Sequence, residues 1–146
     1  DKGDKFTEIG GQPFRDEIDR AKAKANVESV LTSHQDVAVL IGLWSYNGPA
    51  IASAVESAGR KGEVKIICFD EEEETLKGIE NGLIEATVVQ DPFGFSYEAV
   101  KLMHALVTKG DEALPAGNAV YIDARTIDKT NVAEFARNLA ELKKGE

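Results

Sequence analysis

Three short stretches of this chain carry side chains suited to gripping a polar ligand: Trp44-Ser45-Tyr46-Asn47, the carboxylate Asp70 and the amide Gln90. Each stands directly behind an apolar, β-branched run, respectively Val37–Leu43, Val64–Phe69 and Glu85–Val89. Together they offer flat aromatic faces, one carboxylate, and amides that donate and accept in fixed geometry. That chemistry suits a neutral polyhydroxylated ligand. Ring C–H faces pack on aromatics, and hydroxyls donate to a carboxylate in strong charge-assisted bonds. The same positions hold no Ser/His/acid trio, no second catalytic carboxylate and no basic phosphate cradle. The site reads as one that holds rather than reacts, with no catalytic residue and no cofactor. Each residue alone would equally suit helix capping or loop packing. Their coincidence at three successive strand ends favours a ligand.

Neighbouring candidates are weaker. Glu71-Glu72-Glu73-Glu74 suggests a cation at first sight, but an EF-hand loop needs oxygen ligands at alternate positions around a central glycine. Carboxylates in a first helical turn are favourable against the helix dipole, so Glu72 to Glu74 read as helix-start electrostatics and no metal is expected. His34 falls at a helix end with no second ligand at a useful spacing. His104 lies within a helix as a packed or surface residue. The single cysteine, Cys68, excludes an internal disulfide and sits inside an apolar strand as a small buried hydrophobe.

The elements that must position these residues alternate. A short strand is predicted around Phe6–Ile9, broken by Gly10-Gly11-Gln12-Pro13, which lacks the G-x-G-x-x-G dinucleotide spacing. A helix is predicted from Asp16, with Ile18, Ala21, Ala25, Val27, Val30 and Leu31 recurring at intervals of three and four. A second, capped by Asn47 or Ser45, runs through Ile51, Ala54 and Val55 to Gly59. A third opens with Glu71–Glu74 and runs through Leu76 and Ile79, and a long fourth runs from Phe95 or Ser96 to Gly110. A strand over Ala119–Ile122 and a last helix, capped by Thr130 or Asn131, complete the pattern. Strands separated by helices predict a parallel α/β sheet with right-handed crossovers. Near-continuous apolar strands further predict helices on both faces. Ligands of open parallel sheets bind beyond the carboxyl ends of the strands, where all three stretches fall.

Composition bounds the partners. The 146 residues predict one α/β domain over 1–146, with ordinary proportions of hydrophobic (42%) and charged (29%) residues. A net charge of −9 argues against a nucleic-acid backbone or an anionic membrane as partner. No apolar run approaches the roughly 20 residues of a spanning helix, so membrane insertion is not expected. No basic n-region followed by an apolar h-region is present, so any signal peptide is expected to be already gone or never to have existed.

Leu43-Trp44-Ser45-Tyr46-Asn47-Gly48-Pro49-Ala50, Val64 to Asp70, and Ala86-Thr87-Val88-Val89-Gln90-Asp91-Pro92 resemble the C-terminal part of ribose-binding-protein-like, type I periplasmic solute-binding proteins. Thr126 to Val132 is similar to that family's end. The resemblance covers nearly the whole chain from about Phe6, and it is the order and spacing of the motifs that make it specific. It implies a Rossmann/flavodoxin-like lobe that is not an enzyme. It implies the extracytoplasmic solute-binding component of an ABC-type importer, closing two lobes on a monosaccharide (a ribose-like pentose or a hexose). The closed form would be presented to the permease membrane subunits, which implies a periplasmic or extracytoplasmic location. By the resemblance Asp70 matches the aspartate that binds sugar hydroxyls, and Gln90 the glutamine beside a hinge. Trp44 to Asn47 replaces the family's asparagine-aspartate turn, with Tyr46 and Asn47 the preferred ligand contacts there.

Two of the family's three inter-lobe crossings would fall near Asp91-Pro92 and Asp123–Arg125, making 91–125 a crossing segment. The family's N-terminal lobe, and the first strand and helix of its C-terminal lobe, have no counterpart in this sequence. The expectation is an incomplete C-terminal lobe whose helix around Tyr97–Val107 lacks its usual partner, and hence self-association or domain exchange. Two rival readings share the fold class: the effector-binding domain of a sugar-responsive transcription repressor, and a small α/β enzyme with Asp70 as base or metal ligand. The first needs a DNA-binding segment, and nothing basic of that kind is present. The second lacks a second catalytic group at the strand ends.

Overall fold

A computed structural model describes residues 5–145. In chain order the elements are α1 (Arg20–Ser33), β1 (Val39–Ile41), α2 (Asn47–Ser57), β2 (Lys65–Phe69), α3 (Glu73–Glu80), β3 (Ala86–Val89), α4 (Pro92–Lys109), β4 (Arg125–Asp128) and α5 (Val132–Lys144). The strands form one sheet in the order β1-β2-β3-β4. β1, β2 and β3 are parallel, with Ile41 opposite Ile67 and Phe69 opposite Val88. β4 is antiparallel to β3 and sets Arg125 opposite Val89.

Alternation along the strands decides where the core lies, because successive strand side chains point to opposite faces. Ile66 and Cys68 of β2, Thr87 and Val89 of β3, and Ile127 of β4 are buried. They join Ala54 and Val55 of α2, Leu76 and Ile79 of α3, and Val132 of α5. Gly48 permits the tightest approach: a Cβ there would lie 2.5 Å from Thr75 Oγ1 and 3.0 Å from Cys68 Sγ. α2 therefore rests directly on β2 and α3. The alternate set, Ile67, Phe69, Ala86 and Val88, is only half-buried, and Ile41 is exposed.

Four sequence expectations are corrected. Among the described residues, helices cover only one face of the sheet. The reason lies in α4, which follows β3 yet buries none of its residues and so does not lie back over the open face. No strand forms at Phe6–Ile9; residues 6–8 are irregular and Ile9–Gly11 is a 3-10 turn. The first helix starts at Arg20 rather than Asp16, because Glu17 and Ile18 have left-handed φ of 54° and 65° and Asp19 supplies the cap. Ala119–Ile122 is not a strand. The free edge of β3 is taken by β4, and Asn131 anchors that strand by accepting from the Asp128 N–H and donating to the Thr126 carbonyl. β4 is antiparallel because a parallel return needs a helix packed across the sheet, and α4 makes no such crossover.

Candidate functional site

Asp70 stands directly behind β2, and its φ of 66° is left-handed. Aspartate tolerates that region better than most residues, but outside glycine it is uncommon and calls for support. The support comes from β3. The Asp70 N–H donates to the Val88 carbonyl at 2.9 Å, and the buried Thr87 hydroxyl donates to the Asp70 carbonyl at 2.7 Å. The backbone is thus pinned at both ends. Among the described residues the Asp70 carboxylate itself has no hydrogen bond or ion pair, leaving its acceptor positions open.

Asp70 lines an open cleft of about 650 Å³ at the carboxyl edge of the parallel strands, together with Gln90 and Ser45. That volume suits a small ligand. One wall is acidic, from Glu71 to Glu74, while Arg20 and Lys143 are its cations. The opening of α4 contributes Pro92 and Phe95. Five carboxylates against two cations disfavour an anionic ligand and leave hydroxyl donors well served. Among the described residues no group of three or more His, Cys, Asp or Glu side chains is placed to hold a metal ion. Burial pushes the Cys68 thiol up to about 12, which leaves it protonated and inert at neutral pH.

The structure brings Asp70 and Gln90 together as the sequence expected. It sends the loop before α2 elsewhere. Ser45 reaches the cleft, while Trp44 is 65% exposed and does not line it. Tyr46 donates its hydroxyl to Asp16 Oδ1 at 2.8 Å, and Asn47 Nδ2 donates to Asp16 Oδ2 at 2.8 Å. Asn47 Oδ1 accepts from the Trp44 N–H at 2.9 Å, so neither Asn47 nor Ser45 caps the helix as expected. Partial burial pushes the Asp16 carboxyl up, but hydrogen bonds from Tyr46, the Ile18 N–H and Asn47 outweigh it and hold it below its ordinary value. Burial and the adjacent Asp16 carboxylate raise the Tyr46 phenol in turn.

Four residues of this region escaped the sequence reading: Asp16, Arg20, Phe95 and Lys143. Glu72 escaped in part. The sequence predicts it inside the first turn of α3, but it stands just before that helix, and its carboxylate takes the Arg20 guanidinium on both oxygens, at 2.8 and 3.3 Å. These pairs lie 30 to 52 positions apart in sequence, and no local pattern announces them. Phe95 carried the one available signal, an aromatic three positions behind a strand-end proline.

Residues 3–112 match the family model of the periplasmic binding protein domain. No curated protein matches the chain. Among solved structures, the chain is similar to GanP, a glucose-galactose binding protein from Geobacillus stearothermophilus, at 31% identity and TM-score 0.71 over 80% of this chain and 40% of that one. AraP, an arabinose binding protein from the same organism, aligns at 26% identity and TM-score 0.69 over 80% of this chain and 42% of that one. An ABC transporter solute binding protein from Agrobacterium vitis, bound with α-D-tagatopyranose, aligns at 27% and TM-score 0.70 over 82% of this chain and 39% of that one. The chain thus spans about two fifths of the length of the solved structures it matches.

Proposed function

The chain belongs to the periplasmic binding protein family, and from that premise we propose that its cleft holds one wall of a monosaccharide site. The observation that carries the reading is Asp70: a backbone pinned in a left-handed conformation presents a carboxylate without a partner among the described residues to a cleft that also contains Gln90. Strain held at a ligand-facing residue is a recurring mark of function. Asp70 accepts from two sugar hydroxyls, and Gln90 donates to one oxygen and accepts from another. Phe95, which lines the cleft, packs on the ring's C–H face. The polar atoms of Tyr46 and Asn47 are engaged on Asp16.

The wider proposal is the solute-binding role in an ABC-type importer, outside the cytoplasm, with the permease subunits as partner. Related solved proteins are sugar-binding proteins, one of them described as an ABC transporter component. Residues 91–125 are proposed as the segment passing between lobes. Asp91 and Arg125 stand 3.7 Å apart at its two ends.

The test is a thermal melt of the complete gene product with D-galactose, D-ribose, D-xylose and D-arabinose. Saturating sugar should raise Tm, since ligand bound only by the folded state stabilises it. Asp70→Asn should remove most of that rise without lowering the sugar-free Tm. A rise unchanged in Asp70→Asn would sink the assignment.

A further inference from the structure

Asp16 has no counterpart in the sequence-based site, yet three donors converge on its carboxylate. Tyr46 Oη and the Ile18 N–H donate to Oδ1, at 2.8 and 3.0 Å, and Asn47 Nδ2 donates to Oδ2 at 2.8 Å. The backbone around it is bent hard. Glu17 and Ile18 are both left-handed, and the Asp19 N–H returns to the Asp16 carbonyl at 3.0 Å. Ile18 is 86% exposed, so this bend is not made to bury an apolar side chain. What the bend sets is the start of α1. Asp19 caps it by accepting from the Ala21 and Lys22 N–H groups, and Arg20 is its first residue.

Arg20 in turn bonds Glu72 in the cleft wall, and its guanidinium lies 5.7 Å from the centre of the Tyr46 ring. Tyr46 therefore touches both ends of the arrangement, Asp16 through its hydroxyl and Arg20 through its ring face. We propose that Asp16, gripped by Tyr46 and Asn47, is a positioning residue of the sugar site: it fixes the turn before α1 so that Arg20 stays on Glu72. The consequence for binding is electrostatic. Arg20 and Asp70 line the same cleft, and a guanidinium released from Glu72 competes with sugar hydroxyls for the free Asp70 carboxylate. This consequence rests on the monosaccharide reading above; the positioning itself does not.

A double-mutant cycle tests it, using Asp16→Asn and Arg20→Ala in the complete gene product, with D-galactose, D-ribose, D-xylose and D-arabinose as calorimetric probes. Asp16→Asn should weaken binding by about tenfold, the worth of a hydrogen bond to a charged group. In the Arg20→Ala background the same change should cost less than about twofold, because residues acting as a unit are not additive. Tyr46→Phe, a milder variant that removes one donor, should follow the same pattern at about threefold. Equal costs in both backgrounds would overturn the positioning role. If no sugar binds to the unaltered protein, the monosaccharide reading fails instead, and NMR decides the positioning. Arg20 guanidinium signals that lose their dispersion in Asp16→Asn, while the Ile66 and Cys68 amides stay fixed, support it. Arg20 signals indifferent to Asp16→Asn overturn it.

Discussion

α3 and α4 start alike and end in opposite surroundings. Each follows a parallel strand, and each opens beside the cleft, α3 after Asp70 and α4 after Gln90. α3 has eight residues, half of them charged, and buries Thr75, Leu76, Gly78 and Ile79. α4 has 18 residues, carries the more apolar sequence and buries none. Its Tyr97, Val100, Met103 and Val107 are all more than half exposed. Apolar content therefore did not decide burial. The path of the chain did: α3 crosses back to begin β3, whereas α4 leaves the sheet and its strand returns from the other direction.

The largest expected effect separates these helices by stability. Ile79→Ala should cost about 2–5 kcal/mol in urea unfolding, since it empties a site packed on all sides. Val107→Ala, 86% exposed, should stay within about 0.5 kcal/mol. Comparable losses would mean that α4 is packed in solution. Next comes the junction of α2 and α3. Gly48→Ala should cost about 1–3 kcal/mol, because the new methyl meets Thr75 and Cys68, both fully buried. A neutral result would show that α2 can shift off β2.

We also propose that the α4 stripe drives self-association of this chain, since a large exposed apolar face is satisfied by a second copy. Sedimentation should show species heavier than a monomer, and Val100→Glu with Val107→Glu should shift them to monomer. A strictly monomeric unaltered chain would end that proposal.

The smallest effect concerns the Asp16 cluster and its sign is fixed. The folded carboxyl lies below its ordinary value of 3.8, so its contribution is complete above that pH and is lost as pH falls through the folded value. Tyr46→Phe removes a donor and weakens the depression. The stability gap between the two proteins should be widest near neutrality and close in acid. A gap that widened in acid would contradict the cluster's assignment.

Asp70 and Gln90 were legible because strand-end position follows from chain order alone: the residue after an apolar run lands on the carboxyl edge. Cys68 was legible for a similar reason, lying mid-strand among Ile66, Ile67 and Phe69. Tyr46 and Asn47 were legible as polar loop residues but not as partners of Asp16, because the sequence offers no measure of what stands 30 positions away. The strand expected at Ala119–Ile122 illustrates the same limit. Its residues have the right propensity, but a strand needs an edge to pair with, and Arg125–Asp128 occupies it.

By itself the sequence determined the alternation of elements, the burial of Cys68, and the delivery of Asp70 and Gln90 to one edge. These follow from local periodicity and from the fixed handedness of parallel crossovers. Only the tertiary structure decided that helices cover one face of the sheet, that β4 runs antiparallel, and that Tyr46 and Asn47 meet Asp16 while Arg20 meets Glu72. Those outcomes depend on which distant surfaces meet, and a bond such as Arg20 to Glu72 exists only once the fold has brought its two ends together.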